Sequence, residues 1–240
     1  MTSKISLVET PVISCLQSTY GRHSLVERSL ACFLRQDYPH AELIILNNHA
    51  VAMRLDPTIP PDLAAKIRIV NEPCHATLGA CRNRLLDLSR ATSGDFIRTW
   101  DDDDIYLPWS LWQGMYGFQQ AAATRPDVPA FKPEKSWWTN GGKNFELAGN
   151  AMEASILVRA DVARKYRYQE SGGDEHSTLL TGLEREGGIA TADLGIWTGY
   201  CYTWGCGNMA DGGGAGGRGR RDQAAVIGGK CRSALLCRLQ

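Results

Sequence analysis

Residues 41–48, AELIILNN, form an almost unbroken apolar run that stops at two asparagines. Such a run suits a strand covered on both faces, since a half-exposed strand alternates apolar and polar side chains. Covering both faces of a sheet needs helices on either side, which steers the chain towards an α/β architecture. The neighbouring segments agree. PVISCLQST (11–19), KIRIVN (66–71) and DFIRTW (95–100) are rich in strand formers. Between them, SLVERSLACFLRQ (24–36) sets Leu25, Val26, Leu30, Phe33 and Leu34 at helical spacing, with Ser24 and Glu27 in a capping-box pattern. TLGACRNRLLDLSRA (77–91) likewise places Leu78, Cys81, Leu85, Leu86 and Leu88 broadly on one side. Strand, helix, strand, strand, helix, strand predicts a Rossmann-like, mainly parallel central sheet with helices on both faces.

The second half is less regular. PWSLWQGMYGFQQAAA (108–123) predicts a helix starting at Pro108, a position proline tolerates. Residues 131–147 predict loop and short strand, 151–159 a strand, ADVARKY a short helix, 174–188 a helix and 195–205 an aromatic strand. From Gly205 onward there are ten glycines, and residues 206–240 carry six Lys/Arg against two Asp. That segment is expected to be a flexible basic tail.

Composition excludes several classes. Hydrophobic residues make up 43% of 240, enough for a sizeable core, and the formal net charge is zero. A nucleic-acid partner is not expected without a basic excess. No apolar run approaches the roughly 18 residues of a membrane span. The eight cysteines contain no C-x-x-C pair, so a zinc ribbon is not expected and a reducing cytoplasm fits.

In such sheets ligands bind beyond the carboxyl ends of the strands. Three polar segments fall there: STYGR, NNHA and the four adjacent carboxylates Asp101, Asp102, Asp103 and Asp104. Like charges 4 Å apart repel by about 1 kcal/mol in water and about 4 kcal/mol at a protein-like dielectric. Either water solvates the cluster or a cation neutralises it. Carboxylates are hard oxygen ligands suited to Mg²⁺ or Mn²⁺, and on an extended backbone Asp101 and Asp103 share a side. The alternative is a solvated acidic turn that caps the following helix.

The flanks extend the pattern. SGDFIRTWDDDDIYLP resembles the A-x-G-E-Y-I-x-x-L-D-x-D-D-x-x-x-P segment of family 2 glycosyltransferases. PVISCLQSTYGRHSLVERSLACFLRQDYPHAELIILNN resembles that family's opening strand, polar turn, helix ending in Q-x-Y/F-P, and second strand. LGACRNRLLDLSRATSGDFI resembles its G-x-x-x-A-R-N-x-G helix leading into the metal strand. The match in order and spacing covers 11–109 and runs more loosely to about 205.

The resemblance implies a GT-A-like α/β fold. Its nucleotide-sugar-binding half would be 1–109 and its acceptor half 110–205. It implies an inverting, metal-dependent transfer from a nucleoside-diphosphate sugar, with a UDP-sugar favoured, to a glycan, lipid-linked or protein hydroxyl. Thr19, Tyr20 and Arg22 would lie by the nucleotide. Asn47 and Asn48 stand where the family has Asp-Asp, one of which accepts the uracil N–H; an Asn carbonyl keeps the acceptor without the charge. Arg82 and Asn83 would approach the nucleotide and diphosphate. Asp101 would lie near the ribose or Mn²⁺/Mg²⁺, Asp102 would face away in the same nucleotide-binding loop, Asp103 would be the principal metal ligand, and Asp104 would assist or hold the loop. The base that takes the acceptor proton would be Asp174 or Glu175: family order favours Glu175, residue type favours Asp174, and the choice leans to Asp174. His176 is either a ligand or a polar neighbour. Trp137, Trp138, Trp197 and Trp204 fall in the acceptor half, where rings either stack on sugars or fill core. The expected location is the cytoplasm, with contact at a membrane surface compatible. The alternatives are a catalytically silent nucleotide-sugar binder of the same fold, or a nucleotidyltransferase.

Overall fold

The computed structural model describes residues 10–149, 152–204 and the backbone of 225–227. Its elements are β1 (Ile13–Thr19), α1 (His23–Leu34), β2 (Ala41–Asn47), β3 (Met53–Leu55), α2 (Pro61–Ala64), β4 (Ile67–Asn71), α3 (Leu78–Leu88), β5 (Phe96–Thr99), β6 (Ile105–Tyr106) and α4 (Ser110–Thr124). There follow β7 (Ala130–Pro133), β8 (Lys135–Asn140), β9 (Phe145–Gly149), β10 (Leu157–Arg159), α5 (Ala160–Tyr166), α6 (Ser177–Arg185), β11 (Ile189–Ala192), β12 (Tyr200–Trp204) and β13 (Ala225–Ile227).

Seven strands form the central sheet in the order β11-β7-β10-β5-β1-β2-β4. β1, β2, β4 and β5 run parallel, and β10 lies antiparallel to both β5 and β7. The apolar run of β2 is divided between two cores, as its period of two requires. Leu43 and Ile45 pack with Val26, Leu30 and Phe33 of α1. Ile44 and Leu46 pack with Cys81, Leu85 and Leu86 of α3. Each such side chain, fully buried, contributes about 1.5–3 kcal/mol. A second sheet, β6-β12-β8-β9, leans on the first through Tyr106 and Tyr200.

The register brings the strand ends to one edge. Thr19 pairs with Asn47, Asn47 with Asn71, and Leu16 with Thr99. The segments that begin at Tyr20, Asn48 and Asp101 therefore leave the sheet together.

Several boundaries differ from expectation. Helix α1 begins at His23 with no side-chain cap, so Ser24 lies inside the first turn. The reversal at Gly21, φ 69°, brings the chain into the helix two residues early, with Arg22 rather than Ser24 at the cap position. Helix α4 starts two residues after Pro108, whose carbonyl instead accepts from Asp37 N–H (2.9 Å). Strand β3 and helix α2 were not anticipated, and 131–147 contains the β8–β9 hairpin, turned through Gly141 and Gly142 at φ 58° and 73°. The strand expected over 151–159 shortens to β10 after a 3₁₀ turn at Glu153–Ser155. Helix α6 begins at Ser177, leaving Asp174 and Glu175 in the turn before it. The tail expected at 206–240 lies outside the described residues except for β13, which runs parallel to β3.

Candidate functional site

Of the four aspartates, Asp102, Asp103 and Asp104 are buried and Asp101 is half-buried. Asp104 is buried, and it accepts from the Tyr200 hydroxyl (2.5 Å) and from Thr203 N–H (2.9 Å). It holds the loop to the second sheet and commits both oxygens to doing so. Asp102 is fully buried and accepts from Thr19 Oγ1 (2.7 Å), from Arg22 Nε (3.1 Å) and from Arg22 Nη2. It turns inward, towards Thr19 and Arg22. Asp101 and Asp103 alternate with these two and keep 30% and 11% of their side chains exposed. Asp103 pairs with Arg22 Nη1 at 3.1 Å. Below them the fully buried Trp100 stacks on Tyr106, with ring centroids 3.7 Å apart, and the Tyr106 hydroxyl accepts from Asp101 N–H (2.8 Å).

The cluster holds more negative charge than its arginine offsets. Burial pushes the Asp102 carboxyl up to about 7, despite the opposing pull of Arg22. Burial and then the Asp101 charge raise Asp103 and Asp104 as well. A cation placed between Asp101 and Asp103 would relieve that repulsion. Among the described residues no three His, Cys, Asp or Glu side chains converge to hold a metal by themselves. Any metal bound at this edge would therefore need oxygens from a ligand or from water to complete its shell.

A second cluster forms around Arg82. Thr77 caps α3 by accepting from Ala80 N–H (3.1 Å), and Arg82 follows one turn later, buried. Its Nη2 lies 3.3 Å from Asp101 Oδ1 and 3.4 Å from Glu175 Oε1. Its Nη1 donates to His176 Nε2, and its guanidinium sits 5.6 Å from the centroid of the Tyr168 ring. Burial, reinforced by the Arg82 charge, holds the His176 imidazole down at about 2, so it is a neutral acceptor. Glu175 is buried in this group, whereas Asp174 is exposed and accepts from Ser171 Oγ (2.8 Å). The structure therefore brings Glu175, not Asp174, beside the aspartate strand.

The remaining anticipated residues are held by backbone. Asn83 brackets Tyr168, donating to its carbonyl (2.9 Å) and accepting from its N–H (2.8 Å). Asn48 does the same to His75 (2.7 and 2.9 Å). Asn47 donates to the Val51 carbonyl (2.8 Å) and Asn71 Oδ1 (2.9 Å) and accepts from His49 N–H (3.2 Å). Their amides shape the edge, with one carbonyl lone pair each left over. Tyr20 is 54% exposed and meets His49 edge-on at 5.0 Å, an open aromatic surface at the strand ends. Tyr168 and Tyr200 were not anticipated. Both act through contacts far along the chain, and neither belongs to a local pattern.

No protein-family model and no curated protein sequence matches the chain. Solved structures do. TarS 1–349 of S. aureus superposes with a TM-score of 0.60 at 12% identity, covering 80% of this chain and 60% of that one. The same fragment has been solved in complex with UDP and with UDP-GlcNAc. Mannosyltransferase PcManGT from Pyrobaculum calidifontis, in complex with GDP-Man and Mn²⁺, gives 0.57 at 16% identity, covering 81% of this chain and 57% of that one. Glucosyl-3-phosphoglycerate synthase of M. tuberculosis gives 0.50 at 17%, covering 78% and 71%. The chain thus spans about 60% of the TarS fragment's length. At these identities the likeness is one of architecture, and the architecture is the GT-A fold of nucleotide-sugar glycosyltransferases.

Proposed function

We propose that the chain is an inverting glycosyltransferase that moves a sugar from a nucleoside-diphosphate sugar to an acceptor hydroxyl with the help of Mn²⁺ or Mg²⁺. The observation that carries this reading is the Arg82 bridge. One guanidinium lies within 3.4 Å of both Asp101, at the end of β5, and Glu175, before α6. A donor-side carboxylate and a candidate base thus face one another across a single residue.

Asp101 and Asp103 would hold the metal: both are hard oxygen donors, Asp101 is half-buried, and the Asp101 charge raises the buried Asp103 carboxyl, which a divalent ion would offset. Such an ion supplies stabilisation of the negative charge that gathers on the leaving diphosphate. Arg22 and Arg82 add fixed positive charge beside the same oxygens. Thr19 and Asp102 orient Arg22, and Tyr20 offers its ring at the edge where the base of a UDP-sugar would lie, with Asn47 and Asn48 behind it. Glu175 takes the proton from the acceptor hydroxyl, which attacks the anomeric carbon in line. Asp174, one residue earlier and exposed, stays outside this transfer.

Residues 1–109 form the donor half and 110–205 the acceptor half on this reading. The acceptor is a glycan, lipid-linked or protein hydroxyl. No helix among the described residues is long and apolar enough to cross a membrane. The proposed location is the cytoplasm, which suits the free thiols of Cys15, Cys32, Cys74, Cys81 and Cys201, with contact at a membrane surface compatible. A second reading, a silent nucleotide-sugar binder, is favoured by the ion pair of Glu175 with Arg82, which occupies the carboxylate that an acceptor hydroxyl would have to reach. Turnover of a UDP-sugar panel with and without Mn²⁺, with product configuration read by NMR, separates the two. Metal-stimulated transfer with inverted configuration supports the enzyme. Binding without turnover supports the silent binder, and a retained configuration overturns inversion.

A further inference from the structure

We infer that the second sheet carries a saccharide-binding platform that receives a neutral sugar chain of the acceptor. Pairing sets Tyr200 beside Tyr106, Tyr202 beside Trp138, and Trp138 beside Glu146. Because side chains alternate along strands, Tyr106, Tyr200, Tyr202, Trp204 and Trp138 share one face. At its inner end this face is core: Trp100 on Tyr106 at 3.7 Å, and Tyr106 against Tyr200 at 5.5 Å. At its outer end it opens. Trp138 meets Tyr202 at 5.7 Å and 79°, and Trp204 at 6.4 Å and 62°. Trp138 is 43% exposed. Beside it a cavity of about 110 Å³ is lined by Ser136, Trp138, Ala148, Gly149, Met152 and Tyr202. That is well above the roughly 10–15 Å³ one water needs.

The platform adjoins the aspartate loop. Tyr200 and Thr203, on either side of Tyr202, both donate to Asp104. Tyr200 and Tyr202 are about 7 Å apart along the strand. A chain stacked on Trp138 and Tyr202 would thus lie on the same strand that anchors the aspartate loop.

The chemistry of the face selects the ligand. Rings inclined to one another make a corner that matches the C–H face of a pyranose. Glu146, Asn140 and the Ser136 hydroxyl share that face and offer partners for sugar hydroxyls. A lipid tail would leave those polar groups unsatisfied, and the Glu146 charge disfavours an acidic glycan. The acceptor role rests on the proposed transferase activity, whereas saccharide binding does not.

The test titrates the ¹⁵N-labelled full chain with cellotetraose, chitotetraose, mannotetraose and xylotetraose, following the indole N–H signals, with UDP and Mn²⁺ binding measured separately. At least one tetrasaccharide is expected to shift the Trp138 indole saturably. Trp138→Ala should weaken that association about tenfold, the upper end of one ring contact, with Trp138→Phe in between and UDP binding unchanged. Glu146→Gln, which leaves every ring in place, should weaken it less. No shift at Trp138 with any of the four, or an affinity of Trp138→Ala equal to that of the wild type when read from the remaining indole signals, overturns the platform. Failure of UDP to bind while a tetrasaccharide still moves Trp138 overturns the donor reading and leaves the platform standing.

Discussion

Lowering the pH should destabilise the protein through His176 in particular. The ring keeps 18% of its side-chain surface exposed and receives an Arg82 N–H on Nε2; the Tyr168 ring lies edge-on at 5.6 Å and Glu175 Oε1 at 3.4 Å. Burial and the guanidinium hold its folded value at about 2, against 6.5 for the free group. The unfolded chain therefore takes up a proton below pH 6.5 that the folded chain refuses. Its contribution is intact above the unfolded value and falls by about 1.4 kcal/mol for each pH unit below it. Between pH 6.5 and 4.5 the loss is about 2–3 kcal/mol. Carboxylates add their own acid dependence, so the quantity to measure is a difference. Urea unfolding of wild type and His176→Gln at half-unit steps should show the variant losing about 2–3 kcal/mol less over that window. Parallel curves would mean that His176 is protonated in the fold. The neutral acceptor beside Arg82 would then be wrong, and with it the charge balance assigned to Glu175.

Three further outcomes follow from the same contacts. Asp104→Ala leaves the Tyr200 hydroxyl and Thr203 N–H without their carboxylate, at about 1–3 kcal/mol each, and chemical unfolding should show a larger loss than for Asp104→Asn. A Cβ on Gly79 would sit 1.8 Å from the backbone carbonyl oxygen of Gln169, which has no rotamer to yield. Gly79→Ala should therefore cost about 1–3 kcal/mol and lower Tm by several degrees, whereas Gly173→Ala, with nothing within 4 Å, should not. Arg82→Lys keeps the charge but cannot reach Asp101, Glu175 and His176 at once. Stability should fall by about 2–3 kcal/mol, and any turnover should fall with it.

The first half of the fold, through β5, is legible because its signals are local. The apolar run of β2 divides its side chains between two cores by a period of two, and no tertiary knowledge is needed to expect that. The start of α1 was misplaced because Ser24 and Glu27 satisfy a local rule, while the turn at Gly21 and the Arg22–Asp102 pair decide the entry. Asp101 to Asp104 are four identical residues, and only partners remote in the chain, Tyr200, Thr203 and Thr19, separate the anchors Asp102 and Asp104 from Asp101 and Asp103. Glu175 and Asp174 pose the same problem: a one-residue rotation in a turn buries one against Arg82, 93 positions earlier, and leaves the other in solvent. The β8–β9 hairpin was hidden by its long turn, although Gly141 and Gly142 marked the reversal.

The central claim is that the aspartate edge grips a nucleotide sugar through a divalent ion held by Asp103. Titration calorimetry of wild type and Asp103→Asn with UDP-GlcNAc and GDP-mannose, with and without Mn²⁺, tests it most directly. The account predicts saturable binding of at least one of them to the wild type only with Mn²⁺, weakened at least about tenfold in Asp103→Asn. Binding that ignores both the metal and the substitution, or no binding of either donor, would contradict it.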